Sequence, residues 1–338
     1  MTDLHFKTKA YRYYAPALYK IKRLFSRSLG YIWRLNDQQK KELVDYYWDK
    51  YLAQKFYQEV PFYPGKKFDL KNVKRSSDTI FILGCGASIN DLSESDWAIV
   101  NQHDSIGVNY FYAHSFRPTF HMIELGQSPK SLACINKHLL AEQTRNKEQV
   151  FMQIRHVMRR KSGKLCDENG NLYLYSPSIP KSTCPTLIKK IVARWYGESG
   201  KLMHHSSNLD CTVHFAYQAG YKNIMLLGVD LNNNKYFWDV MDTEQKSIKE
   251  IKAATLDDYN MSNFDINPLA KHATADKQSA TKNTALTVLE YLAIVDKEVF
   301  IPAEIKFATC SPNSLLREHF AYVSLNTIDN NSGQSNLR

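Results

Sequence analysis

The segment Thr79-Ile80-Phe81-Ile82-Leu83-Gly84-Cys85-Gly86-Ala87-Ser88 decides the fold. Five apolar, mostly β-favouring residues read as a strand buried on both faces, and that strand runs straight into a tight glycine turn. A plausible helix around Asp91–Val100 follows. Strand, glycine turn and helix in this order form the opening unit of an α/β domain, and such a turn presents backbone N–H groups that suit a phosphate or a ribose. The third glycine of G-x-G-x-x-G is absent, Ile89 standing in its place, so a tight connection is the competing reading.

Downstream, Ser105–Asn109, Phe120–Glu124 and Gln149–Gln153 read as further strands, with a helical stretch Ser131–Asn146 before the last. Short β-rich runs alternating with helices predict a parallel sheet with crossover helices. Asn109, at a strand's carboxyl end, is a candidate ligand contact or an ordinary loop Asn. Residues 163–175 carry Asp167-Glu168-Asn169-Gly170-Asn171 between apolar runs, a hairpin signal. Ser206–Gly220 reads as a helix capped by Ser206, Ser207 or Asn208, whose N–H and hydroxyl donors suit a phosphate. Asn223–Gly228 is another buried strand, ending in Gly228-Val229-Asp230. From Leu231 to about Ala280 the chain is polar and Asn-rich apart from a helical piece near Val240–Leu256, the pattern of a mobile lid. Asn283–Val295 follows as an amphipathic helix and Glu298–Pro302 as a final strand. Cys310–Leu316 then forms a loop before one more helix, and after Ser324 a disordered tail is expected.

Upstream of Ser76 the pattern differs. Asn36 or Asp37 caps a helix running to about Val60, and Pro61 with Pro64-Gly65 ends it. Of the formal net charge of +10, residues 1–34 hold eight Lys or Arg against Asp3 alone, interleaved with Phe6, Tyr11, Tyr13, Tyr14, Tyr19, Phe25, Tyr31 and Trp33. Basic residues among amphipathic rings suit an anionic membrane surface, and a helix packed on the body or on another subunit is the alternative. A nucleic-acid arm is a weaker reading, and no nucleic-acid module is visible further along. The organisation read from the sequence is an appendage over 1–75, an α/β domain over 76–323 with its lid at about 231–280, and a tail over 324–338.

With 338 residues, 43% hydrophobic and 23% charged, the composition is that of an ordinary globular protein. No apolar run reaches the length of a membrane span, and no secretory peptide opens the chain, so a cytoplasmic address is expected. The six cysteines (85, 134, 166, 184, 211 and 310) contain no C-x-x-C pair, which argues against a zinc ribbon. Among 20 Asp residues none are spaced D-x-D, the pair that holds a divalent ion in many nucleotide-sugar transferases. No metal or other cofactor is therefore expected, and N–H groups, hydroxyls or cations must meet any phosphate charge.

Taken in order, these segments resemble the bacterial sialyltransferases of glycosyltransferase family 42. Gly84-Cys85-Gly86-Ala87-Ser88 resembles the family's G-N-G-P-S, and Asn109-Tyr110-Phe111-Tyr112 its N-Q-F-Y. Ser206–Asp230 is similar to a T-S-G helix followed by G-Y-K-x-I-x-L-x-G-I-D, matched by Gly220-Tyr221-Lys222-Asn223-Ile224 and Gly228-Val229-Asp230. Lys282-Asn283-Thr284 with Leu289-Glu290-Tyr291-Leu292 comes next, and Cys310-Ser311-Pro312-Asn313-Ser314-Leu315-Leu316 resembles C-P-N-S-L-L. The match spans about residues 79–316.

The resemblance implies a Rossmann-like parallel sheet with flanking helices, a GT-A variant, with a lid closing over a CMP-sugar. It implies donor binding by Gly84, Cys85, Gly86, Ser88, Asn109, Ser206, Ser207, Asn208, Asp230, Pro312, Asn313 and Ser314. It also implies metal-free displacement, with a His taking the acceptor proton and Tyr236 steadying the leaving phosphate. Where the family places its His before S-K-N-T, this chain has Ala280-Thr281, so His272, eight residues earlier, is the candidate base, with His204, His205, Asp276, Glu124 and Asp230 as rivals. Cys85 replaces an Asn, and Glu124 and Arg155 stand where further donor-binding Asn residues occur, which leaves sialic acid, Kdo, pseudaminic and legionaminic acid open as the sugar. The acceptor implied is a bacterial surface glycan or its lipid-linked precursor, reached from the inner membrane face, and the family often forms oligomers. Two other classes remain: a diphosphokinase-like enzyme using magnesium and ATP, and an inactive transferase fold acting in membrane-associated assembly.

Overall fold

A computed structural model describes residues 16–59, 65–124, 128–141, 148–153, 165, 167, 170–239, 246–262, 267–281 and 286–328. Residues 1–15, Arg155, the stretch from 163 to Asn169 apart from Leu165 and Asp167, and Lys282-Asn283-Thr284 lie outside them.

Among the described residues nine strands form one sheet in which every pairing is parallel: β1 (Lys66–Lys67), β2 (Thr79–Leu83), β3 (Asp104–Val108), β4 (Phe120–Glu124), β5 (Gln149–Gln153), β6 (Leu172–Tyr175), β7 (Asn223–Leu227), β8 (Lys306–Thr309) and β9 (Ala321–Tyr322). Their spatial order is β1-β6-β5-β4-β3-β2-β7-β8-β9. From β2 the chain steps outward in one direction as far as β6, then returns to β7 on the other flank of β2. The carboxyl ends of β2 and β7 therefore mark the topological switch point, where ligands bind in open α/β sheets.

The apolar run of β2 follows from this central place. Ile80 and Ile82 enter one core layer and Phe81 and Leu83 the other, and all four are fully buried. Helices α5 (Pro185–Trp195), α6 (Asn208–Gln218) and α9 (Val288–Val295) supply the first layer; α3 (Glu94–Asn101), α4 (Pro129–Ile135) and α7 (Lys246–Ser262) supply the second, and the short α8 (Lys277–Thr281) lies between α7 and α9 in the chain.

Before β1 come α1 (Pro16–Ile32) and α2 (Asp37–Glu59). Asn36 caps α2, its side chain accepting the Gln39 N–H at 2.9 Å while Gln39 returns a bond to the Asn36 N–H. Helix α2 packs on the body: Leu43 and Tyr46 join the core, the rings of Trp33, Tyr46 and Tyr47 surround Trp195, Glu42 accepts from the hydroxyls of Ser182 and Thr183, and Asp49 from the Ile179 N–H.

Three expectations need correcting. The hairpin signal before Tyr175 is not a hairpin, because β6 runs parallel to β5, and Asp167 instead folds the loop locally by accepting the N–H groups of Asn171 and Leu172. The strand expected over Glu298–Pro302 is helical: α9 continues into a wider turn over Asp296–Phe300, and the strand comes later, at β8. The first residues of the expected disordered tail, 325–328, form a helical turn that buries Leu325 and Ile328, and residues 329–338 lie outside the described residues. In the lid region the expected helix is present as α7, which seats Ile248, Ile251 and Ala254 in the core, and residues 240–245 lie outside the described residues.

Candidate active site

The turn after β2 and the turn after β7 touch backbone to backbone. Gly84 donates to the Leu227 carbonyl at 2.8 Å and Gly86 to the Gly228 carbonyl at 2.7 Å. Gly228 bends away with φ +65, in the left-handed region glycine tolerates. The bend brings Asp230 under the first turn, where its carboxylate accepts both the N–H of Ser88, at 3.0 Å, and the Ser88 hydroxyl. The third contributor is the loop after β8. Ser311 Oγ lies 3.2 Å from Ser88 Oγ and accepts the Gly228 N–H; Ser314 donates to the Val229 carbonyl, and the Leu315 N–H to that of Asp230.

These turns leave an open cleft of about 460 Å³ lined by Ala87, Ser88, Asn90, Asp91, Asp230, Asn232, Asn233 and Asn313. Asn232 is fixed by donating to the Asn313 carbonyl, and Asn90 by donating to that of Phe237. Four carboxamides and two carboxylates are hydrogen-bond partners for hydroxyls and for the polar edge of a base, so the lining suits a nucleoside. Pro312 is exposed beside the cleft, its carbonyl accepting from Arg317.

Here the structure corrects an expectation. The N–H groups of Gly84, Gly86 and Ser88 are taken by the partners named above, so these three are not free for a phosphate. The α6 cap is likewise occupied: Asp210, wholly buried, accepts the N–H groups of His205, Ser206 and Ser207, while Ser207 Oγ accepts that of Asp210. A carboxylate seated there takes the N–H groups of the three residues that precede the helix and opposes the charge of a phosphate.

The Cys85 thiol points away from the cleft to the Val108 carbonyl, and burial raises its pKa. Asn109 (φ +51) and Asn208 form a second polar cluster on the same sheet edge. Asn109 Oδ1 accepts the Glu124 N–H and the Asn208 Nδ2, and Asn208 also bonds the Met122 carbonyl and Tyr175.

Tyr236 pairs through its backbone with Gly86, and the Phe237 N–H bonds the Cys85 carbonyl, so this segment lies along the glycine turn. The Tyr236 ring stacks on Trp238 with centroids 4.5 Å apart. His272 is tied to the end of β7 by its N–H to the Leu231 carbonyl, and its Nδ1 lies 2.9 Å from Thr274 Oγ1. Desolvation lowers its pKa to about 4, so the imidazole is neutral near pH 7. His204 and His205 are buried, His205 stacked on Tyr291 and also held neutral by burial. Asp276 caps a short turn by accepting the Ser279 N–H. Asn90, Asp91, Asn232, Asn233 and Ser311 also belong to the site without having been expected there from the sequence; the run Asn232-Asn233-Asn234, one residue after Gly228-Val229-Asp230, was the signal available.

No family model matches the chain, and no curated protein matches it. Solved structures do. The sialyltransferase CstII from Campylobacter jejuni in complex with the substrate analogue CMP-3FNeuAc is similar over 73% of this chain and 87% of that one, at 16% identity and a TM-score of 0.41. The monofunctional alpha-2,3-sialyltransferase Cst-I from the same organism is similar over 75% and 82%, at 12% identity and a TM-score of 0.40. A mammalian sialyltransferase is similar over 67% and 79%, at 12% identity and a TM-score of 0.30.

Proposed function

We infer that the protein is a glycosyltransferase that moves a sialic acid, Kdo or a related ulosonic acid from its CMP-activated donor to a bacterial cell-surface glycan such as lipooligosaccharide, LPS or capsule. One observation carries this reading. Segments that resemble the family and lie up to about 230 residues apart, 84–88, 228–230 and 310–316, converge on a single cleft at the topological switch point, while 109–112 and the start of α6 join on the same sheet edge. The cleft's amides and carboxylates receive the nucleoside. The sugar extends along the edge toward Asn109, and Tyr236, beside the glycine turn, faces the leaving phosphate. His272 is the candidate base, its neutral form being the one that takes the acceptor hydroxyl's proton as the anomeric carbon is attacked. No metal takes part in this scheme.

Thermal unfolding with CMP, CDP, UDP and ADP, each with and without EDTA, tests the donor. CMP at a hundred times its dissociation constant is expected to add about 2.7 kcal/mol of stability, undiminished by EDTA. His272→Ala is expected to keep that shift and lose transfer from CMP-sialic acid or CMP-Kdo. Stabilisation by ADP with magnesium alone would move the diphosphokinase-like class to first place.

The same reading puts the enzyme on the inner face of the inner membrane. Among the described residues no helix is long and apolar enough to cross a membrane. On α1, Leu24, Phe25, Tyr31 and Ile32 are between 58% and 75% exposed, at a spacing that keeps them on one side of the helix beside exposed Lys20 and Arg23. Apolar side chains flanked by cations fit a lipid surface carrying anionic headgroups. Cosedimentation with anionic vesicles is expected for the full chain and not after deletion of residues 1–34. Equal binding by both would remove the membrane role from this segment.

A further inference from the structure

The carboxyl edge of the sheet holds a polar side chain that neither the fold nor the nucleotide cleft uses. Gln153, the last residue of β5, is 0% exposed, and neither its Oε1 nor its Nε2 has a hydrogen-bond partner among the described residues. An orphaned carboxamide in this position destabilises the fold, and an apolar residue would pack there without that cost. In register it stands between Glu124 on β4 and Tyr175 on β6. Strand alternation turns Gln153 to the face of Phe151, the α6 side, where Tyr175 binds Asn208 at 3.1 Å and Asn208 binds Asn109 at 2.8 Å. Ser206 Oγ, just before the α6 cap, is a second buried polar atom without a partner at this end of the fold.

We propose that the Gln153 carboxamide binds a vicinal pair of hydroxyls on the substrate sugar. This rests on the nucleotide-sugar reading above and assigns a residue that sets its sugar specificity. The chemistry narrows the ligand. Gln153 presents one acceptor and one donor side by side on a neutral fork, and two neighbouring hydroxyls satisfy both at once, one donating to Oε1 and the other accepting from Nε2. A carboxylate or phosphate satisfies Nε2 and repels Oε1. A secondary acylamide points its C=O and N–H in opposite directions and so meets only one of the two. The position also suits the role: β5 lies three strand spacings from β2, about 14 Å from the glycine turn, with Asn109 and Asn208 between, the distance at which the sugar end of an extended nucleotide-sugar falls.

The diol belongs either to the donor sugar or to the acceptor, and the test separates the two. CMP alone is expected to stabilise the wild type and Gln153→Leu equally. If the diol is the donor's, Gln153→Leu binds CMP-sialic acid 10- to 100-fold more weakly, and single-deoxy donors weaken binding to the wild type but not further to the variant. If it is the acceptor's, donor affinity is unchanged and the acceptor KM rises by the same factor, again with deoxy acceptors discriminated only by the wild type. A wild type indifferent to every deoxy donor and acceptor overturns the proposal, a result that does not depend on the variant folding; so does a variant with wild-type parameters for both substrates. Failure of CMP to stabilise the wild type overturns the nucleotide reading, and this assignment with it, and is told apart by appearing before any sugar is added.

Discussion

Gly84→Ala is expected to cost about 3 kcal/mol of stability or more. A Cβ on Gly84 would lie 2.4 Å from the Gly228 carbonyl oxygen and 2.9 Å from Val229 Cγ2. Relief by a rotamer change is impossible for the first contact, because the obstructing atom is backbone at the end of a central strand. The backbone bonds between the two turns hold both in place, so the strain spreads into the β2–β7 pairing. Gly170→Ala is the control, for although Gly170 has φ +64, no atom would lie within 4 Å of the new methyl, and its cost is about 1 kcal/mol. Urea unfolding midpoints of the two variants check this, and equal losses would show that the turn contact is not the constraint.

A second large effect is loss of stability in mild acid. His214 is fully buried on α6, its Nδ1 accepting the Met203 N–H and its Nε2 donating to the Tyr196 carbonyl, each at 2.6 Å. This pairing sets the tautomer, and a proton added at Nδ1 would point at another N–H. Burial accordingly lowers the pKa from 6.5 to about 4. The unfolded chain, with ordinary histidines, takes up protons below about pH 6.5 that the folded chain refuses. Folding stability is therefore complete above that value and falls as the pH drops from 6.5 to about 4. The His214 contribution is roughly 3 kcal/mol over that window, and His272 adds in the same direction. In His214→Gln, a non-titrating donor and acceptor replace the ring, so the difference between denaturant midpoints at pH 7 and pH 4 is expected to shrink by most of that amount. An unchanged pH profile would clear His214 as its source.

The chain's own order of residues was enough to reveal the α/β class, the strand Thr79–Leu83 with its glycine turn and the cap of α2, because each is written in neighbouring residues: an unbroken apolar run, a small-residue turn, an Asn three residues before its Gln. Local signals misled where a distant partner outweighed them. Val299, Phe300 and Ile301 favour a strand, yet they continue α9 because its core face extends to Phe300. Asn169-Gly170 suggests a hairpin, yet the next strand pairs parallel to β5. Two-residue strands such as β1 and β9 have no sequence signature at all, existing only because a longer neighbour offers an open edge.

The site divides in the same way. Of the eight residues lining the cleft, Ser88, Asp230 and Asn313 were named from the sequence, since they lie in a glycine turn, at a strand end and in a loop that local features mark, whereas Ala87, Asn90, Asp91, Asn232 and Asn233 were not. Only the tertiary structure decided what their polar atoms do. The glycine N–H groups face β7 rather than solvent, Asp210 fills the α6 cap, and Gln153, which reads as an ordinary strand end, is buried with both amide atoms unanswered. A hydrogen bond needs its partner within about 3 Å, and which partner arrives there is set by contacts between segments a hundred or more residues apart.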